Sequence, residues 1–123
     1  MIRILVIDDD LQIREMLTKF SERAEYEVLA APDGKAALKL HSANPVDLII
    51  TDIVMPEEDG LETIMELRRR FPEVKIIAIS GGGKIEANKY LDIAKVMGAQ
   101  RAFSKPFELA ELLEAIRELL EKP

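Results

Sequence analysis

The sequence contains no cysteine. That absence excludes a disulfide framework, a thiolate zinc site and a cysteine nucleophile together, and it is compatible with a reducing compartment. A basic excess is missing as well. With 23 Asp and Glu against 17 Lys and Arg, the formal net charge is −6, so no basic face is available to neutralise nucleic-acid phosphates, and direct nucleic-acid binding is not expected. No apolar run approaches the roughly 20 residues of a membrane span. The opening "MIRILVIDDD" meets acid directly after "ILVI", too soon for the apolar region of a signal peptide. Repeats, low-complexity tracts and linkers are absent too. These absences lead to the expectation of a cytoplasmic soluble chain with no membrane partner.

What is present is a globular composition. Apolar residues make up 48% and charged residues 33% of 123 residues, the size of one domain with one continuous core. Short apolar runs at Ile2 to Ile7, Glu27 to Ala31, Val46 to Thr51, Val74 to Ser80 and Arg101 to Ser104 read as strands. Most are solidly apolar rather than alternating, the pattern of parallel strands covered on both faces. Helical spacing fills the intervals. Ile13, Met16, Leu17, Phe20 and Ala24 follow Asp10, an N-cap candidate, and Asp33 to Ala43 follows "APDG". Leu61 to Phe71 stops at Pro72, Ile85 to Met97 stops before Gly98, and a last helix turns Leu109, Leu112, Leu113, Ile116 and Leu120 inward, with Glu118 and Lys122 paired outside. His41, on the second helix with no partner in sequence, reads as a solvated surface residue. Five β-then-α units predict a doubly wound α/β sandwich with a parallel sheet and helices on both faces, expected here as a flavodoxin-like (βα)5 three-layer sandwich with five strands in the order 2-1-3-4-5, one of the two common doubly wound orders.

In such a sheet ligands bind beyond the carboxyl ends of the strands, near the reversal of strand order. Those ends carry Asp8, Asp9 and Asp10 on the first strand, Thr51 and Asp52 on the third, Ser80 on the fourth, and Ser104 and Lys105 on the fifth. With the first and third strands adjacent, Asp8, Asp9 and Asp52 share one pocket. Carboxylates with few other ligands suit Mg²⁺, a hard cation completed by a substrate phosphate. A lysine and a hydroxyl on the far side supply donors to phosphoryl oxygens, and aspartate is itself a nucleophile toward phosphorus.

"ILVIDDD", "LIITDIVMPEEDG", "IIAIS" and "FSKPF", in this order, together with "DGKAAL" and the Gly98-Ala99 pair, resemble the receiver domain of two-component response regulators over the whole chain. The resemblance implies a stand-alone CheY-like receiver over residues 1–123, with no output domain. By it Asp52 is the phosphoacceptor. Asp9, Asp52 and the Val54 carbonyl ligate Mg²⁺, and Asp8 acts on the metal through water. Lys105 contacts the phosphoryl group, Ser80 moves to hydrogen-bond it, and the Lys105-Pro106 bond is cis. Asp10 then caps the first helix. The implied partners are a sensor histidine kinase or histidine phosphotransfer protein and a downstream protein that docks on the surface of the fourth helix, fifth strand and fifth helix. The chain is expected as a monomer or a weak phosphorylation-linked dimer that turns over no metabolite.

The chain departs from that family at several positions. Ala102 stands where the family carries an aromatic residue that rotates with the hydroxyl, and Phe103 falls on the opposite face of the strand. The signal is then expected to pass through the glycine-rich "SGGGK" after Ser80. Val54 and Gly82 stand where many relatives carry polar side chains that influence the attacking water, which suggests a phosphoryl lifetime that is not short. Two other functions compete at this point. One is a receiver-like module that is never phosphorylated and binds constitutively. The other is a haloacid-dehalogenase-type phosphatase using Asp8 and Asp10, although Gln12 and the lack of room for a cap speak against it.

Overall fold

The computed structural model describes residues 2–55, 58–80 and 92–121. Strand β1 (Arg3–Ile7) leads into α1 (Leu11–Arg23), then β2 (Glu27–Ala31), α2 (Gly34–Ala43) and β3 (Leu48–Asp52). A short antiparallel pair, β4 (Val54–Met55) and β5 (Glu58–Asp59), precedes α3 (Gly60–Arg70) and β6 (Lys75–Ser80). Residues 92–97 are helical (α4), followed by β7 (Arg101–Ser104) and α5 (Leu109–Glu121).

The main sheet is parallel in the order β2-β1-β3-β6-β7, which is 2-1-3-4-5 when its own strands are counted. Register brings the carboxyl ends level: Ile7 pairs with both Ala31 and Thr51, Asp52 with Ile79, and Ser80 with Ser104. The apolar runs of β1, β3 and β6 are buried because alternate side chains enter separate layers. Leu5, Ile7, Ile49, Ile76 and Ala78 meet Ala37 of α2, Ile64 and Leu67 of α3 and Ala94 of α4. Ile4, Val6, Leu48, Ile50, Ile77 and Ile79 meet Leu17 of α1 and Leu112, Ala115 and Ile116 of α5. Each fully buried aliphatic side chain contributes about 1.5–3 kcal/mol of hydrophobic stabilisation. Such a two-sided sheet leaves only its strand ends for polar side chains.

The helix caps follow the sequence. Asp10 accepts the N–H groups of Gln12 and Ile13 at 2.9 and 3.4 Å, and Asp33 accepts that of Ala36 at 2.8 Å. As expected, Ala102 packs into the α2–α4 layer and Phe103 into the α1–α5 layer. Two readings are corrected. Met16 is exposed, because the inward row of α1 runs through Ile13, Leu17, Phe20 and Ala24 and leaves Met16 at its edge. Glu118 pairs with Arg101 of β7 at 3.2 Å; Lys122, its expected partner, lies outside the described residues.

The second correction is His41, which is 4% exposed rather than solvated. It follows Gly34 and Ala37 on the buried row of α2. Its Nδ1 accepts the Val46 N–H at 2.9 Å, and its ring meets Phe71 edge-on at 4.0 Å between centroids. Burial pushes its pKa below the usual histidine value, so the ring is a neutral acceptor that joins α2 to the chain entering β3.

Candidate functional site

The polar residues gather where β1, β3, β6 and β7 end. Asp8 is the first residue beyond β1, and its N–H still donates to the Ala31 carbonyl at 3.2 Å, which prolongs the strand pairing by one bond. The chain then turns: the Asp10 N–H donates to Asp8 Oδ1 at 2.9 Å, and Asp10 caps α1. Of the consecutive aspartates, Asp8 is buried while Asp9 and Asp10 are exposed. Asp52, the last residue of β3, is buried on the neighbouring strand.

Carboxylate oxygens of Asp8, Asp9 and Asp52 all lie within 4.8 Å of one another. Lys105 Nζ stands 3.2 Å from Asp52 Oδ2 and 3.5 Å from Asp8 Oδ2. Burial is the main reason the Asp8 carboxyl sits above its usual pKa. The Asp10 N–H opposes that shift, Asp52 and Asp9 add to it by repulsion, and Lys105 offsets part. Three carboxylates against one ammonium leave an excess of negative charge in a half-buried pocket. An all-oxygen donor set of this kind fits a hard divalent cation better than a soft one.

Ser80 Oγ, at the end of β6, is fully buried and has no hydrogen-bond partner among the described residues. An unsatisfied buried hydroxyl costs about 1–3 kcal/mol, and Ser80 lies one residue beyond Ile79, the strand partner of Asp52. The Lys105 N–H donates to the Ser80 carbonyl at 2.8 Å, which ties the cation-bearing turn to the serine. The Lys105-Pro106 peptide is cis. Val54 opens β4 two residues beyond Asp52, its backbone paired with Asp59.

The structure therefore brings together Asp8, Asp9, Asp52 and Lys105, with Ser80 on the next strand. It sets Asp10 apart, its carboxylate occupied by helix N–H groups. The Asp8 and Asp10 pairing that a dehalogenase-type phosphatase requires is thus not the one formed. The glycine-rich residues after Ser80, Gly82 among them, and the expected start of the fourth helix at Ile85 lie outside the described residues. Sequence reasoning missed Arg14, which reaches back from α1 to the Asp8 carbonyl; its place four residues after the cap was the available signal.

The response regulator receiver domain family matches residues 4–117. The response regulator receiver protein CpdR of Brucella abortus is 35% identical over 96% of this chain and 96% of its own length. The response regulator MprA of Mycolicibacterium vanbaalenii is 36% identical over 98% of this chain, which spans 51% of that protein. Among solved structures, a CheY-like receiver domain protein from Methanospirillum hungatei superposes with a TM-score of 0.88 at 29% identity, covering 99% of this chain and 95% of that one. The response regulator TrrA of Thermotoga maritima, solved in complex with Mg²⁺-BeF, does so with a TM-score of 0.85 at 35% identity, covering 98% of this chain and all of that one.

Proposed function

The chain belongs to the response regulator receiver domain family, and on that premise we propose that residues 1–123 form a phosphorylation-dependent signalling module of a two-component phosphorelay, with Asp52 as phosphoacceptor. The observation that carries this reading is the placement of Asp52 at the end of the central strand, 3.2 Å from Lys105 and clustered with two further carboxylates.

An Asp52 oxygen attacks the phosphorus of a phosphohistidine on a sensor kinase or phosphotransfer protein. The P–O bond forms as the P–N bond breaks, and the electron pair leaves with the imidazole nitrogen. Lys105 stabilises the negative charge of the transferring oxygens, a task that accounts for most of the catalysis in phosphoryl transfer. Ser80 Oγ donates its hydrogen bond to a phosphoryl oxygen once one is present. Asp9, Asp52 and the Val54 carbonyl would hold Mg²⁺, with Asp8 acting through water, and the ion would supply positive charge that offsets the carboxylates and the incoming phosphoryl group. The bond formed by Ser80 alters the start of the loop after β6, and partner affinity changes on the surface of α4, β7 and α5. The module modifies itself and turns over no metabolite. Among the described residues no helix is long and apolar enough to cross a membrane, and we place the activity in the cytoplasm.

Intact mass after incubation with acetyl phosphate and Mg²⁺ tests the reading. A gain of one phosphoryl group that is lost with EDTA and in Asp52→Ala is the expected result. Release of free phosphate that depends on Asp8, with no mass gain, would favour a phosphatase. Neither gain nor release would favour a constitutive binder.

A further inference from the structure

Arg14 closes the first turn of α1 and is half-buried. The first turn of a helix favours acidic side chains, because its free backbone N–H groups concentrate positive charge. In α1 that turn holds no acid and ends in a guanidinium, so the arginine sits against the dipole preference of its own helix. Its Nη1 instead points past the helix start and donates to the Asp8 carbonyl at 2.9 Å.

That carbonyl belongs to the peptide joining Asp8 to Asp9, two of the three clustered carboxylates. Asp8 has its own restraints: burial, its N–H on the Ala31 carbonyl, and its Oδ1 on the Asp10 N–H. Asp9 is exposed, and the direction of its side chain depends on the plane of the peptide before it. A charged, forked donor on the carbonyl restricts rotation of that plane more firmly than a neutral one. We propose that Arg14 is a positioning residue for metal binding: by holding the Asp8 carbonyl it fixes the Asp8-Asp9 peptide and keeps the Asp9 carboxylate within reach of Asp8 and Asp52. The inference rests on the reading of this cluster as a Mg²⁺ site. It matches the general dependence of metal affinity on groups that orient the ligands, worth about 10–100-fold.

The test is Mg²⁺ affinity by calorimetry on the whole chain, without phosphodonor, for the parent, Arg14→Ala, Arg14→Lys and Asp9→Ala. Urea unfolding in EDTA verifies the fold of each. Arg14→Ala is expected to weaken Mg²⁺ binding by at least about tenfold while remaining folded, with Arg14→Lys recovering part of the loss. An arginine that merely braces α1 would lower the urea midpoint and leave Mg²⁺ affinity within twofold of the parent, which would overturn the assignment. Should the alanine variant not fold, Arg14→Met, which keeps the apolar stem and removes the donor, is read by the same criterion. A parent that binds no Mg²⁺, or an Asp9→Ala that binds as the parent does, would instead overturn the metal reading itself.

Discussion

The two ends of the sheet solve the same problem in opposite ways. At the amino end, hydrogen bonds tie together polar groups from separate segments of the chain. Arg68 donates to the Pro72 and Gly98 carbonyls at 2.8 and 2.9 Å and to Gln100 Oε1 at 3.2 Å, and the same Oε1 accepts the Ile76 N–H at 2.7 Å. The Arg3 N–H meets Asp47 at 2.8 Å, and the Val46 N–H meets His41. Gly98 has φ +131°, and a Cβ there would stand 3.0 Å from Arg68 Nε, so the arginine and the glycine fit only as a pair. At the carboxyl end, by contrast, like charges crowd together, Asp8 is held above its usual pKa, and Ser80 has no partner among the described residues. One end is laced by hydrogen bonds between segments and serves stability. The other concentrates like charge beside a buried hydroxyl, which is the arrangement the proposed phosphoryl transfer would use.

The comparison can be broken most decisively at Arg68. Arg68→Ala strips charge-assisted bonds from α3, α4 and the approach to β7, and is expected to cost about 2–4 kcal/mol in urea unfolding, while acetyl-phosphate labelling of the folded protein persists. A loss below about 0.5 kcal/mol, within the ordinary range of surface changes, would deny the amino end its stabilising part.

His41→Leu comes next, at about 2 kcal/mol, because it leaves the buried Val46 N–H without an acceptor. The same residue sets a pH dependence. Burial lowers the folded pKa of His41, so its contribution is complete above the unfolded value of about 6.5 and is lost as pH falls through the lower folded value. Unfolding curves between pH 7.5 and 5 should show this decline in the parent and its absence in His41→Leu.

Asp8→Asn acts at the other end and in the opposite direction. It keeps the acceptor for the Asp10 N–H while removing a buried charge, so the metal-free protein should gain about 1 kcal/mol and lose Mg²⁺ affinity. The sign of its titration is also reversed. With the folded pKa of Asp8 raised, the native state takes up a proton before the unfolded one, and metal-free stability rises as pH falls through that value. A metal-free Asp8→Asn less stable than the parent would contradict the account of a strained carboxyl end.

The smallest effect is expected at Ser21, whose buried Oγ on α1 also has no partner among the described residues. It lies away from the carboxylates and has no ligand to await. Ser21→Ala should therefore be neutral or stabilising by under about 1 kcal/mol, with phosphorylation unchanged.

Much of this arrangement was legible in the chain. Apolar runs too uniform for a one-sided sheet dictated buried parallel strands, and β-α alternation dictated right-handed crossovers with helices on both faces. Strand-end positions singled out Asp8, Asp9, Asp52, Ser80 and Lys105, and the cap geometry separated Asp10 from them. The amino end was not legible, because most of its bonds join residues 24 to 44 positions apart, as in Gln100 with Ile76, Arg68 with Gln100 and Arg3 with Asp47, and neither helical nor strand periodicity encodes such pairs. His41 was misread for a related reason. Its place on the row of Gly34 and Ala37 was visible, but its acceptor role depends on where the chain turns into β3. The β4–β5 pair was missed inside "MPEEDG", where turn-forming residues mask a two-residue ladder.

Sequence alone thus determined the layers and the set of acidic and basic groups at the carboxyl end, because these follow from hydrophobic period and chain direction. Only the tertiary structure decided that Asp8 is buried while Asp9 is exposed, that Ser80 lacks a partner among the described residues, that Arg14 holds the Asp8 carbonyl and that Arg68 locks the opposite end. Each of these depends on side chains from different elements meeting at hydrogen-bond distance, and that meeting is set by packing.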